Sequence, residues 1–114
     1  MSVKLSSRQV GDVNVVDVDG WITLGEGSIA LRDALRDMVG KDQKKILLNL
    51  ADVSYIDSSG IGELVSGFTT VTNNGGQLKL LNLTKRVKDL LQITKLYTVF
   101  DVHDDEAAAV RSFS

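Results

Sequence analysis

The sequence contains no cysteine and no proline, and only 5% of its residues are aromatic. Without cysteine there is no disulfide, no thiol nucleophile and no thiolate metal site. Without proline the turns must rely on glycine, asparagine and aspartate. The scarcity of aromatic residues requires a core of aliphatic side chains. One histidine, His103, is present, and we expect a solvated surface residue there and no metal site.

Charge is also nearly balanced, with 13 basic and 15 acidic residues. Such a balance gives no electrostatic footprint for nucleic acid or for an anionic membrane, so we expect neither as a direct partner. No apolar run approaches the ~20 residues of a membrane span, and the N-terminus lacks the apolar core of a signal peptide. We therefore expect a cytoplasmic protein whose residues 1–114 form one domain.

The first twenty residues predict a β-hairpin. Apolar and polar residues alternate weakly over 3–7, and Gly11-Asp12 is typical of a turn. Valine is frequent over 13–18, which predicts a second strand ending at Asp19-Gly20.

Helical spacing of apolar residues over 29–39 predicts the first helix. This helix could begin at Thr23, with Glu26 as a capping-box partner, or at Ser28. The nearly continuous apolar run over 46–50 is typical of a buried parallel strand.

The second half of the chain continues the alternation of helices and strands. Its predicted elements are an amphipathic helix from Ile61 to Val71, a short strand over Leu78–Leu81, a helix capped by Thr84, a strand over Leu96–Val102 and a terminal helix opened by Asp104-Asp105. We predict an α/β domain with a mixed sheet of four to five strands, an N-terminal antiparallel hairpin and about four helices.

The octapeptide Asp57–Leu64 places two hydroxyls and two glycines where an apolar strand ends and a helix begins. Helix N-termini carry unpaired N–H groups and a partial positive charge, so Ser58 there is a natural seat for a phosphate. An equally simple interpretation is that Asp57 or Ser58 is an ordinary N-cap and that the glycines allow close helix–strand packing.

The apolar face of this helix predicts which residues lie outside. Ser59, Gly62, Glu63 and Ser66 are expected on the outer side, as a patch that a partner protein could cover. Trp21 is predicted either as a lid over the core or as an interface anchor, because tryptophan is enriched at binding hot spots.

Enzymatic alternatives have little support in the sequence. The G-x-S-x-G motif of a serine hydrolase is absent, and neither Gly-rich turn, 25–28 or 60–62, carries the lysine of a phosphate-binding loop. We therefore predict no enzymatic activity and no cofactor.

The chain resembles the STAS domain (sulfate transporter and anti-sigma factor antagonist), specifically the stand-alone bacterial anti-sigma factor antagonists. The resemblance spans nearly the whole chain and is carried by the hairpin ending in Gly20, by 45–50, by 53–62 with its Asp-Ser-Ser-Gly-Ile-Gly motif, by 75–80 and by 91–100. It implies that Ser58 is phosphorylated by an anti-sigma factor that is also a serine kinase with a GHKL-type ATPase fold.

The resemblance also implies a cycle of partner switching. The unphosphorylated form binds the anti-sigma factor and frees a sigma factor, the phosphorylated form does not bind, and a phosphoserine phosphatase restores the active state. The implied partner-binding residues are Asp57, Ser59, Gly60, Gly62, Glu63, Trp21 and Thr23, the last standing where many relatives carry an acidic residue. The alternative is a STAS scaffold or sensor module that binds a protein or small ligand without regulated phosphorylation.

Overall fold

A computed structural model describes residues 3–113 and shows a five-stranded sheet with helices on both faces. The elements in chain order are β1 (Val3–Val10), β2 (Val13–Ile22), α1 (Glu26–Gly40), β3 (Lys45–Ile56), α2 (Ser58–Asn73), β4 (Gln77–Leu81), α3 (Lys85–Ile93), a 3₁₀ turn (Tyr97–Val99), β5 (Val102–His103) and α4 (Glu106–Arg111). Over residues 3–113 the strands lie side by side in sequence order; the β1–β2 pair is antiparallel and the other pairs are parallel. The predicted α/β class, hairpin and mixed sheet are confirmed.

The hairpin turns at Gly11, whose φ of 62° favours glycine. The predicted end of β2 at Asp19-Gly20 is wrong, because the strand continues to Ile22. Trp21 and Ile22 pair with the end of β3 after a register shift that follows Gly20. Parallel pairing therefore carries the strand past the glycine that the sequence suggested as its end.

Helix α1 begins at Glu26, so both predicted starts, Thr23 and Ser28, are wrong. Its N-cap is Gly25, which has a φ of 96° and no side chain to cap with. A Cβ on Gly27 would lie 2.3 Å from the carbonyl oxygen of Trp21, so the first turn sits directly against the end of β2. Backbone conformation and close approach, rather than a capping side chain, set this helix start.

The strand predicted over Leu96–Val102 is also wrong. A 3₁₀ turn occupies its middle, and only two residues, Val102 and His103, pair with β4. The preceding Lys95 has a φ of 60°, and the Leu96 N–H donates to the carbonyl of Leu91 at 2.8 Å. The chain therefore stays folded against α3 until just before β5.

Two other helix starts are confirmed. The Val87 N–H donates to Thr84 Oγ1 at 3.3 Å at the start of α3, and the Ala108 N–H donates to Asp105 Oδ2 at 3.1 Å at the start of α4. In residues 3–113 no helix is long and apolar enough to cross a bilayer.

The core divides between the two faces of the sheet. Helices α1, α2 and α3 cover one face, where the buried apolar side chains are aliphatic or methionine apart from Phe100. Helix α4 covers the other face through Ala109, which packs on a small cluster, namely Val13, Val15, Leu47 and Leu81. The expected aliphatic core is confirmed.

Polar contacts hold both ends of α4. Arg8 on β1 binds Asp17 at 2.8 Å and also pairs with Glu106 at the start of the helix. This guanidinium holds the pKa of the Asp17 and Glu106 carboxyls below their usual range. After the helix, Lys79 Nζ donates to the Ser112 carbonyl at 3.0 Å and lies over the ring of Phe113.

Candidate functional site

The start of α2 presents Ser58 to solvent. Ser58 is the first residue of the helix and is exposed, while Asp57 is the N-cap and its Oδ1 accepts the Gly60 N–H at 2.9 Å. The interpretation of Asp57 as a helix cap is thus confirmed. Within the described part of the chain, the Ser58 hydroxyl makes no hydrogen bond. Capping is done by the aspartate, which leaves the neighbouring hydroxyl free.

Asp57 also joins two loops. Its second oxygen, Oδ2, accepts the N–H of Leu24 from the β2–α1 loop at 3.3 Å. Its own N–H donates to the carbonyl of Ile22 at the end of β2, at 3.4 Å. One residue therefore holds the β2–α1 loop beside the start of α2.

The two glycines of the motif have different surroundings. A Cβ on Gly60 would lie 2.1 Å from the carbonyl oxygen of Ile22, which confirms close packing as the reason for that glycine. Gly62 is exposed, and a Cβ there would meet nothing within 4 Å. Gly60 therefore fixes the position of the helix start, whereas Gly62 leaves the outer surface flat.

Glu63 does not lie on the outer side, so that expectation is wrong. Its side chain is buried, and it receives two hydrogen bonds of 2.9 Å from Nε and Nη2 of Arg32 on α1. The carboxylate raises the pKa of the Arg32 guanidinium through these bonds. The paired charges let an acidic residue occupy the contact between two helices. Ser66 is exposed as expected, and Ser59 is half-buried.

Trp21 and Thr23 are both half-buried. The indole of Trp21 packs against Tyr55, with ring centroids 5.4 Å apart and planes tilted by 51°. The guanidinium of Arg86 covers the ring of Tyr55 at 4.7 Å from its centroid. Thr23 contributes its carbonyl oxygen, which accepts the Ser28 N–H at 3.1 Å. This aromatic stack adjoins the strand end that leads into the motif.

The sequence did not single out Leu24, the loop residue whose N–H is bonded to Asp57. Its side chain is 79% exposed, although its N–H is bonded to Asp57, and Ile29 on α1 is 48% exposed. The available signal for an exposed contact residue was a leucine placed in a predicted loop, just before Gly25. Apolar side chains exposed on a surface are typical of interaction sites.

His103 and the acidic residues near the C-terminus have partners in the described part of the chain. His103 is only partly solvated and pairs with Asp101 at 3.2 Å, so its prediction as a solvated residue is corrected. In the described range, no group of three or more histidine, aspartate or glutamate residues could hold a metal ion. Asp105, from the acidic run near the C-terminus, caps α4 instead.

Replacing Asp57 tests the double role of its carboxylate. Asp57→Ala is expected to lower the free energy of unfolding by about 1–2 kcal/mol, because both N–H groups lose their acceptor. Asp57→Asn retains one carbonyl oxygen and should lose clearly less. Urea unfolding followed by circular dichroism measures both, and equal losses in the two variants would contradict this role.

Comparison with known proteins gives consistent matches along the chain. The sequence profile of the STAS domain matches residues 4–109. The anti-sigma-B factor antagonist of Bacillus subtilis (strain 168) is 47% identical over 102 residues, which is 90% of this chain and 92% of that protein.

Solved structures share the fold at lower identity. An anti-sigma factor antagonist from Mycobacterium paratuberculosis superposes with a TM-score of 0.83 at 17% identity, covering 98% of this chain and 94% of that one. The Bacillus cell fate determinant SpoIIAA in its phosphorylated form gives a TM-score of 0.73 at 18% identity, covering 95% and 97%. At these identities the likeness concerns the fold alone.

Proposed function

Because the chain belongs to the STAS domain family, we propose that it is an anti-sigma factor antagonist, a regulatory protein rather than an enzyme. In its unphosphorylated form it binds an anti-sigma factor that is also a serine kinase, and thereby releases a sigma factor. Phosphorylation of Ser58 ends this binding, and a phosphoserine phosphatase restores it. The name of the 47%-identical Bacillus relative supports the antagonist assignment.

The exposed, unbonded hydroxyl of Ser58 is the observation that carries the proposal. Asp57 satisfies the Gly60 N–H, and in residues 3–113 the N–H groups of Ser58 and Ser59 donate to no acceptor. Unpaired N–H groups at a helix start favour an anion. A phosphate on Ser58 is therefore compatible with the folded protein.

The transfer requires a kinase, since the phosphate must come from a nucleotide bound by the partner. The kinase takes the proton from Ser58 Oγ, which attacks the γ-phosphorus of ATP. The new Oγ–P bond forms as the bond from phosphorus to the ADP oxygen breaks. The chain's own contribution is to hold the hydroxyl in an accessible position at a fixed helix start.

The surface around Ser58 is suited to a protein partner in the unphosphorylated state. Leu24 presents an exposed apolar side chain, and its N–H is held by Asp57. Phosphorylation adds about −1.5 to −2 charges beside Asp57. In an interface, those charges lose water and meet any acidic group of the partner, which disfavours the complex.

Labelling with ATP tests the site. The protein mixed with its cognate anti-sigma factor and ATP is expected to gain one phosphate on Ser58, detected by intact-mass and peptide mass spectrometry. Ser58→Ala should abolish the label, and Ser59→Ala, one residue away, should retain it. Persistent phosphate on Ser58→Ala would reject Ser58 as the acceptor.

A scaffold or sensor function is the second candidate. It is favoured by an open cleft of about 480 Å³ beside the start of α3, whose lining includes Asn82, Lys88 and His103. If the chain acts in this way, it carries no phosphoserine under any growth condition, and Ser58→Ala and Ser58→Asp bind the partner as the wild type does.

A further inference from the structure

Arg86 places a positive charge close to the strand end that leads to Ser58. It is the second residue of α3 and is exposed. Its Nε donates to the carbonyl oxygen of Ile56 at 3.4 Å, and its Cζ lies 4.7 Å from the centre of the Tyr55 ring. Two contacts with the end of β3 therefore define where this guanidinium lies.

The Arg86 guanidinium has no anionic partner among residues 3–113. By contrast, Arg8 and Arg32 are each held by carboxylates, and the neighbouring Lys85 pairs with Asp89 at 2.8 Å. A guanidinium has five N–H donors, and only one of those on Arg86 has an acceptor in this part of the chain. Its terminal nitrogens remain available for an anion.

The backbone position that Arg86 contacts lies close to Ser58 along the chain. Ile56, which Arg86 contacts, precedes Ser58 by two residues, and two residues of extended chain span at most about 7 Å. A phosphate extends the serine side chain further into solvent, and the long arginine side chain can turn about its rotatable bonds. Both groups lie at the same end of the sheet, since α2 and α3 each follow a parallel strand.

We propose that Arg86 pairs with the phosphate carried by phosphorylated Ser58, and so acts as the residue within this chain that recognises its modified state. The proposal rests on the proposed function for the assignment of phosphate to Ser58. Arginine presents a planar fork of donors that matches phosphate oxygens. In the unmodified protein the same fork covers Tyr55 instead. Arg86 is thus a positioning residue for the phosphate and takes no part in its transfer.

Titration of the phosphate by ³¹P NMR tests this pairing. Phosphoserine is installed at position 58 by genetic encoding, so that no kinase is required. A nearby guanidinium favours the dianion and lowers the second pKa of the phosphate, which is ordinarily about 6. Arg86→Gln is expected to raise this pKa by about half a unit to one unit relative to the protein with Arg86.

Two matched variants distinguish a direct contact between Arg86 and the phosphate from the electrostatic effect of any positive charge at the start of α3. Lys85→Gln removes the same charge one residue away and should raise the pKa by less than half as much. Arg86→Lys keeps the charge and should recover at least half of the effect, which also covers a failure of Arg86→Gln to fold. An unchanged titration in Arg86→Gln, an equal shift in Lys85→Gln, or no recovery in Arg86→Lys would each overturn the pairing.

The test is independent of the kinase reaction. Failure of the anti-sigma factor to label Ser58 would reject the proposed function while leaving the measured titration intact. A titration that is insensitive to Arg86 would reject the pairing while leaving the labelling result intact.

Discussion

Replacing Gly60 by alanine is expected to destabilise the protein by about 2–3 kcal/mol, even though alanine favours helix by ~1 kcal/mol over glycine. The added Cβ would lie 2.1 Å from the carbonyl oxygen of Ile22 and 2.6 Å from Cγ1 of Ile56. The first contact is with backbone, so no change of rotamer relieves it. The start of α2 must then move away from β2, and Ser58 moves with it. Urea unfolding with a constant m-value measures the loss.

Gly62→Ala is the matched control for this prediction. It makes the same chemical change in the same helix, but a Cβ there meets nothing within 4 Å. It should raise the free energy of unfolding by about 0.5–1 kcal/mol through helix propensity. If Gly60→Ala were as stable as Gly62→Ala, the contact between α2 and the end of β2 would not constrain the helix start.

Substitution of Ser58 by aspartate is expected to weaken binding to the anti-sigma factor by about 10- to 100-fold, the equivalent of roughly 1.4–2.8 kcal/mol. The new carboxylate lies beside Asp57 on the surface that includes the exposed Leu24. On binding, both charges would lose water within the interface, and like charges placed together cost free energy. Isothermal titration calorimetry with the purified partner measures the dissociation constant.

Two controls separate charge from shape in that experiment. Ser58→Asn has nearly the size of aspartate without its charge and should bind more tightly than Ser58→Asp. Ser66→Asp places the same charge on the exposed side of α2, two turns further along, and should change the affinity little. Equal affinities for Ser58→Asp and Ser58→Asn would show that bulk, and not charge, opposes binding.

Local signals in the sequence predicted the features of the fold that depend on neighbouring residues. Asp57, Thr84 and Asp105 each cap the helix that follows, because a side-chain oxygen reaches an N–H three residues on. The hairpin turn at Gly11 is equally local. The role of Ser58 as a phosphate acceptor stays a prediction. Exposure of its hydroxyl makes phosphorylation possible but does not demonstrate it.

Contacts between distant parts of the chain account for what the sequence did not predict. Glu63 looked external because helical periodicity places charges outside, yet Arg32, 31 residues earlier, allows its burial. The start of α1 depends on the packing of Gly27 against the end of β2, six residues earlier, which a search for capping side chains does not detect. The bond from Leu24 to Asp57 spans 33 residues and has no local signature.

Three helices pack on one face of the sheet, whereas α4 covers the other face. This difference affects the order in which parts of the protein unfold locally. Helix α4 has six residues, of which Ala109 is buried, and the ion pair of Arg8 with Glu106 lies at its start. Elements with little apolar burial open at low free energy, independently of the rest of the molecule. Salt weakens exposed ion pairs but leaves apolar packing intact. We therefore expect rising ionic strength to favour detachment of the C-terminal helix before the opposite face, which carries Ser58, loses its structure.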